Sequence, residues 1–537
     1  MTRRAFLKGS GALLASVAAS DFFAMSNALA QSAGSMVRVL TDGAPNTLDP
    51  DGNGLNRYSY NIAWNVYDRL VTFGKKALPD GKSFIYDYQQ IVSQLAESFE
   101  TSADGTKLTF HLRQNATFHD GSPVTARDVK WSLDRAVTMP ASRSQMASGS
   151  MTSPDQFVVV DDHTFTVTVP RRDRFTLQDL AVTFPSVINS TLAKSHATAA
   201  DPWAADWLKS NAAGGGPFKI ESYQAGQQVI FTRFDQWRNG DLPKVGKIVF
   251  QVVESPASRR AAAQRGDADI VMELPPRDID SLKKEGKVRI SDVPYSNGFQ
   301  LLAMNNKMAP FDNPLVRQAI AFAIPYQALY DTVLLGRGAP LFGGMNTTAT
   351  STAFPVKMPY NTDLEKAKKL LAQAGMANGF STTFSFDAAQ SATAESIAVL
   401  VQESLAKIGV KITINKVPSG QLGSMEQNKT LPFFFEQSGA WLAYPDYFLR
   451  TFFSGDTRWN YGSYSNPKFV ELLKDVRYEN DPAKYDAMVK DMITMVMQDV
   501  PVIMLWQPNQ DVVFGPKLSG FDYMFHRQLE FRYLAKS

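Results

Sequence analysis

Apolar and polar positions alternate along the early part of the chain, as in strands with one buried face. "MVRVL" (Met36 to Leu40) is a β-type run, and after the turn dipeptide Asp104-Gly105 the apolar residues Leu108, Phe110 and Leu112 fall at every second position. "DQFVVVDDHTFTVTVP" predicts two more strands around Asp161-Asp162. Between them the period lengthens. Val129, Leu133 and Ala136 share one helical face, and Thr125 followed by Asp128 has the spacing of a capping box. The section up to about Asn211 therefore predicts a hairpin-rich, small α+β unit. "AAGGGPFKI" (Ala212 to Ile220) breaks the pattern and predicts a boundary with a tight lead-in to a strand. Its glycine run lacks the Lys-Ser/Thr that closes a phosphate-binding loop.

After Asn297 the pattern changes. "FSTTFSF" (Phe380 to Phe386) predicts a strand, and the next segment places Ile397, Leu400, Val401, Leu405 and Ile408 on one helical face before Gly409. "VKITINKV" then alternates again. Strand, helix and strand at this spacing predict a βαβ unit with parallel strands and a right-handed crossover. Upstream, Asn361 to Gly375 predicts a helix opened by a Thr362/Glu365 capping box and stopped by glycine. The second half thus has an α/β character.

A chain of 537 residues is too long for one core and predicts two or three domains. The absence of cysteine excludes disulfides, thiolate nucleophiles and thiolate metal sites. The five histidines have no metal-ligand spacing, so neither a metal centre nor a cofactor is expected. The first thirty residues carry Arg3, Arg4 and Lys8 against Asp21, and removing them would leave +1 of the formal charge of +3. Near-neutrality gives no electrostatic footprint for nucleic acid or an anionic membrane. "TRRAFLK" (Thr2 to Lys8), a short apolar run and the small residues Ala28 and Ala30 have the form of a twin-arginine export signal. Cleavage is expected after Ala30. Ser16, Ser20 and Asp21 interrupt the run before the roughly 20 apolar residues that a membrane span needs. A soluble periplasmic protein is expected.

Several strings coincide with one family. "TKLTFHLRQNATFHDGSPVTARDVKWSLDRA" (Thr106 to Ala136) resembles the signature of family 5 solute-binding proteins, the periplasmic receptors of ATP-driven (ABC) importers for peptides, nickel, opines and oligosaccharides. The resemblance continues through "MNNKMAPFDNPLVRQAIAFAI", "TDLEKAKKLLAQAGM" and "RWNYGSYSNPKFVELL" to the closing "MVMQDVPVIMLWQ". It implies an α/β periplasmic-binding-protein clam-shell: two α/β lobes joined by two hinge strands, with an extra α+β subdomain inserted in lobe I. Lobe I would comprise residues 31–82, 214–298 and 512–537, the inserted subdomain 83–213 and lobe II 299–511. The hinges would lie near Tyr295–Gln300 and Trp506–Val513. A monomer would close around a small solute and hand it to a membrane permease.

"GAWLAYPDYFL" (Gly439 to Leu449) carries the ligand question. Trp441 matches a pocket-wall tryptophan of the family's peptide binders. By spacing alone, Trp441 and Tyr444 read as core; the resemblance favours the pocket. Dipeptide binders place an aspartate three residues after this tryptophan to hold the ligand's ammonium. Here Tyr444 stands there, and Asp446 follows two residues later as either an amine ligand or an exposed or capping carboxylate. Their carboxylate-binding arginine aligns near Ala388, where this chain has none. A buried ligand ion left unpaired costs several kcal/mol, so a conventional dipeptide is disfavoured. Tyr58, Asn297 and Asn460 are further lining candidates. Peptides, modified peptides and opines fit the family; an oligosaccharide or other neutral conjugate suits an aromatic wall without charged clamps. A periplasmic chaperone or chemoreceptor partner with the same fold is the reading of another class. Ser281 and Lys284 have S-x-x-K spacing but lack the partner motifs of a serine hydrolase, so no enzyme is expected.

Overall fold

The computed structural model describes residues 36–294, 297–343, 356–523 and 528–537; the expected export signal and Tyr295 lie outside the described residues. Strand β1 (Met36–Thr41) is followed by the helix Ser59–Val66 and the hairpin β2 (Val71–Ala77) and β3 (Ser83–Ser93). The hairpin spans the boundary expected at residue 83 and shares a sheet with the C-terminal strand Phe521–Tyr523. Next come β4 (Ala96–Thr101), β5 (Lys107–Leu112), β6 (Phe157–Val159) and β7 (Thr164–Thr168), an antiparallel sheet in the order β4-β5-β7-β6. Leu108, Phe110 and Leu112 turn inward as their alternation predicts. They pack with Val129, Leu133 and Ala136 of the helix Ala126–Thr138, whose capping box is formed by Thr125 and Asp128.

Close approach explains the glycine run. A Cβ at Gly214 would lie 2.0 Å from the Val66 carbonyl oxygen, and one at Gly216 would lie 2.6 Å from the Val66 carbonyl carbon. The segment can cross the end of the Ser59–Val66 helix only without side chains at these positions. It leads into β8 (Phe218–Gln224), β9 (Gln228–Arg233), β10 (Lys247–Val252) and β11 (Ile270–Val271).

Strands β12 (Arg289–Pro294), β13 (Gly298–Met304) and β14 (Gly338–Pro340) precede the predicted βαβ unit. There, β15 (Ser381–Asp387) and β16 (Lys411–Val417) are parallel, joined by the helix Ser391–Ala406 with Ile397, Val401 and Leu405 buried. The preceding helix departs from expectation at its start. It begins at Leu364, and its cap is Asp363, whose carboxylate accepts from Lys366 N at 2.9 Å. Thr362 instead donates its hydroxyl to Ile324 O at 2.6 Å. A charged acceptor at the positive end of the helix displaces the hydroxyl.

The chain then forms β17 (Phe433–Gly439) and finally β18 (Val502–Phe514), thirteen residues long. At about 3.4 Å per residue such a strand is roughly 40 Å in length. Its first half pairs with β13, from Val502–Ala303 to Trp506–Gln300, and its second half with β12, from Asn509–Pro294 to Phe514–Arg289. Among the described residues the main sheet runs β16-β15-β17-β13-β18-β11-β1-β10-β9-β8. Two groups of strands thus meet along β18 and the adjacent path from β12 to β13. One hydrophobic core extends from Phe110 through Phe184 and Trp441 to Phe433, so the α+β unit and the second α/β group are packed together.

Candidate functional site

The site is built on the turn between β17 and the helix Pro445–Phe453. Because Gly439 pairs with Gly298, the end of β17 runs beside Asn297. Ala440 N donates to Asn297 O at 3.1 Å, and Asn297 Nδ2 donates to Ala440 O at 3.0 Å. This double clasp sets the direction of the chain just before Trp441.

Trp441 is buried at the junction of three segments. Its ring stands edge-on to Tyr60 of the Ser59–Val66 helix at 4.7 Å and 85°, and to Phe184 of the α+β unit at 5.2 Å and 73°. Each such pair is worth about 0.5–1.5 kcal/mol beyond the area it buries. Tyr444 lies 5.2 Å from Phe175, and its hydroxyl accepts from Gln178 Nε2 at 3.4 Å. Burial pushes the Tyr444 hydroxyl pKa up.

Asp446 is buried rather than exposed, and the helix has no side-chain cap at Tyr444. Its Oδ1 accepts from the Tyr485 hydroxyl at 2.6 Å, while its Oδ2 is buried with no hydrogen-bond partner. Burial raises the Asp446 pKa, opposed by the Tyr485 bond and by Arg174 and Arg450 nearby. Tyr447 donates to Gln145 Oε1 at 2.5 Å, and Gln145 Nε2 donates to Asp179 at 2.6 Å. Burial lifts the Asp179 pKa well above the usual carboxylate range.

The other two candidates are engaged elsewhere. Tyr58 donates to Asp42, accepts from Arg57 Nη2 at 3.1 Å and packs on Gly43, where a Cβ would lie 2.5 Å from its ring. Burial raises its pKa. Asn460 staples its own loop: Nδ2 donates to Gly455 O at 2.9 Å and Tyr464 O at 3.0 Å, and Oδ1 accepts from Tyr464 N at 3.0 Å. Its side chain is spent on the backbone. Trp441, Tyr444 and Asp446 are therefore brought together above Asn297, whereas Tyr58 and Asn460 belong to other clusters.

Sequence reasoning missed Tyr60, Phe175, Gln178 and Phe184, which complete the aromatic seam. It also missed a polar clasp beside it. Arg477 meets the Asp173 carboxylate and Ser148 O, and donates to Ser150 Oγ at 3.0 Å. Arg174 donates to Arg477 O at 3.2 Å and lies 4.0 Å over the Tyr485 ring. No local periodicity marks these residues, because their partners lie hundreds of positions away in the chain. Beyond Tyr444 the seam opens into a cavity of about 610 Å³, with walls from β3, the Ala443–Pro445 turn and the helix Pro482–Asp499. That size suits a small solute.

Ser281 accepts from Arg260 Nη2 at 2.7 Å, and Lys284 pairs with Asp280 at 2.7 Å. The S-x-x-K spacing thus holds surface ion pairs. Among the described residues no group of three or more His, Cys, Asp or Glu converges to hold a metal, and no helix is long and apolar enough to cross a membrane.

Two strand groups joined along β12–β13 and β18, with an aromatic seam between packed units, define a two-lobed solute-binding protein. Residues 90–460 match the model of the bacterial extracellular solute-binding proteins, family 5 (middle), and the chain belongs to this family. It is 28% identical over 497 residues to the probable D,D-dipeptide-binding periplasmic protein of Escherichia coli strain K12, covering 90% of each chain. It is 28% identical over 500 residues to the glutathione-binding protein of Pectobacterium atrosepticum, covering 89% of this chain and 90% of that protein. The fold is similar to that of an ABC transporter-associated periplasmic binding protein from Helicobacter pylori, solved in complex with the peptide STSA. The TM-score is 0.79 at 24% identity, covering 93% of this chain and 98% of that one. The α/β clam-shell is therefore the fold of this chain, and the family is one of substrate-binding proteins.

Proposed function

We propose that the chain is the periplasmic receptor of an ABC importer, capturing a small solute of the peptide or opine class between its lobes and delivering it to a membrane permease. The observation that carries this reading is the seating of Trp441, where rings from three distant segments meet at one seam. The hinge would be the β12–β13 passage together with residues 506–513 of β18, because both strands continue from one strand group to the other. Export by the twin-arginine signal, with cleavage after Ala30, supplies the location.

Two features favour a solute other than a free dipeptide. Tyr444 stands where an amine-binding aspartate would be needed, and Asp446 is already bonded to Tyr485. An oligosaccharide or neutral conjugate is the second reading, favoured by the aromatic character of the seam. The test is a thermal-shift screen of the mature protein against peptides, opines and oligosaccharides, since a true ligand raises the melting temperature by mass action. Trp441→Ala should abolish the shift given by the best compound while leaving the far-ultraviolet spectrum unchanged. A shift that survives the substitution removes Trp441 from the pocket. A melt indifferent to all three classes refutes the ligand assignment.

A further inference from the structure

The cavity beyond Tyr444 is lined by ring and aliphatic surface. Tyr86 and Tyr88 of β3 form one wall, with ring centroids 4.2 Å apart at 73°. Tyr485, Val489 and Ile493 form the facing wall along one side of the helix Pro482–Asp499; their spacing of four places successive side chains one above the other. Tyr444 closes the end nearest Trp441.

Two of the wall hydroxyls are directed elsewhere. The Tyr485 hydroxyl donates its hydrogen bond to Asp446 Oδ1, and the Tyr444 hydroxyl is engaged by Gln178. At the rim, Lys76 and Asp87 neutralise each other at 3.0 Å. The helix contributes one basic and one acidic residue, Lys490 and Asp486. The lining therefore carries no net charge: Lys76 and Lys490 balance Asp87 and Asp486.

We propose that this cavity seats a neutral aromatic group of the transported solute, with the remainder of the solute running past Tyr444 toward Trp441. The chemistry follows from the walls. An ionised group would enter without an unbalanced countercharge and would lose its hydration. A sugar would bring several hydroxyls against ring surface on which the Tyr444 and Tyr485 hydroxyls already have partners. A planar ring loses little by leaving water and gains edge-to-face contacts with the tyrosines. This assignment rests on the receptor reading above.

The test uses two uncharged probes, N-acetyl-L-phenylalanine amide and N-acetyl-L-alanine amide, titrated calorimetrically into the full chain. Wild type should bind the phenylalanine amide at least about tenfold more tightly, because only its benzyl group packs against the ring walls. Val489→Trp puts an indole between the facing walls and should reduce the difference at least threefold. If that variant misfolds, Tyr88→Ala at a half-buried wall position should reduce it at least threefold. Equal affinities in wild type, or binding of neither amide, overturns the proposal. So does a preference for the phenylalanine amide that survives both substitutions in folded protein. The receptor reading fails separately: a retained, cavity-dependent preference with no response to peptides, opines or oligosaccharides would refute that reading and leave the cavity an aromatic site.

Discussion

Replacing Arg477 by glutamine tests whether the polar clasp holds the lobes together. Arg477 follows the helix Pro467–Val476, in the proposed second lobe, whereas Asp173 and Ser150 belong to the α+β unit, in the proposed first. Asp173 has a fully buried side chain, and Arg477 is 14% exposed. Breaking a buried pair from one side costs about 3–5 kcal/mol, because the remaining charge is stranded. Asp173 would keep two other bonds, from Ser150 Oγ at 2.6 Å and from Phe175 N at 3.0 Å. The cost should therefore lie lower, at about 2–3 kcal/mol. If the clasp parts when the lobes open, that energy enters the closure equilibrium. A loss of about 2 kcal/mol shifts the ratio of closed to open protein roughly 30-fold. Small-angle X-ray scattering of the ligand-free protein should then show a larger radius of gyration for Arg477→Gln than for wild type. The double variant with Asp173→Asn should be less perturbed than Arg477→Gln alone, since it strands no charge. A lowered melting temperature with an unchanged radius of gyration would show that the clasp lies within one rigid body, and the reasoning would fail.

Two further predictions concern the fold. His119 is half-buried against Phe234, with Nε2 3.0 Å from Gly216 O, and desolvation lowers its pKa to about 4. The unfolded chain binds this proton near pH 6.5. Stability is therefore lost as the pH falls from about 6.5 toward 4, where the unfolded state holds more protons. Denaturant midpoints should show His119→Gln to be less pH-sensitive than wild type in that window, and parallel pH profiles would remove His119 from the effect. In the second case, Gly214→Ala should destabilise the protein by more than about 3 kcal/mol, because its Cβ would meet the Val66 carbonyl. Gly226→Ala, which has open space at φ +76°, should cost only about 1 kcal/mol. Equal denaturation midpoints for the two variants would contradict the close approach.

Much of the architecture is legible in the sequence because it is encoded by local period. Leu108, Phe110 and Leu112 alternate, and Ile397, Val401 and Leu405 recur at helical spacing, so neighbours along the chain are enough to predict β5 and the βαβ unit. The Thr362 error is also local: two adjacent residues have capping chemistry, and the charged one prevails. The candidate site divides along the same line. Trp441, Tyr444 and Asp446 lie on one short stretch and could be named together. Tyr60, Phe184 and Arg477 could not, because their roles arise only when the units pack. Asp446 shows the limit most clearly. Its burial depends on Tyr485, thirty-nine residues further on, and nothing near Asp446 in the chain signals that partner.

That same bond links the altered loop to its chemistry. A carboxylate in the first turn of a helix is favoured by the positive end of the dipole, and here it also holds the Tyr485 hydroxyl. With its hydroxyl hydrogen-bonded to Asp446, and with Arg174 stacked 4.0 Å over its ring, Tyr485 keeps one orientation. The ring that lines the cavity is thereby held by groups outside the lining. With Tyr444 and not a carboxylate three residues after Trp441, that position carries no charge. Tyr444 stands at the cavity end, and Asp446 fixes Tyr485 in the cavity wall. One short loop thus engages its carboxylate internally and presents apolar ring surface, which is what the proposed recognition of a solute by its uncharged body requires.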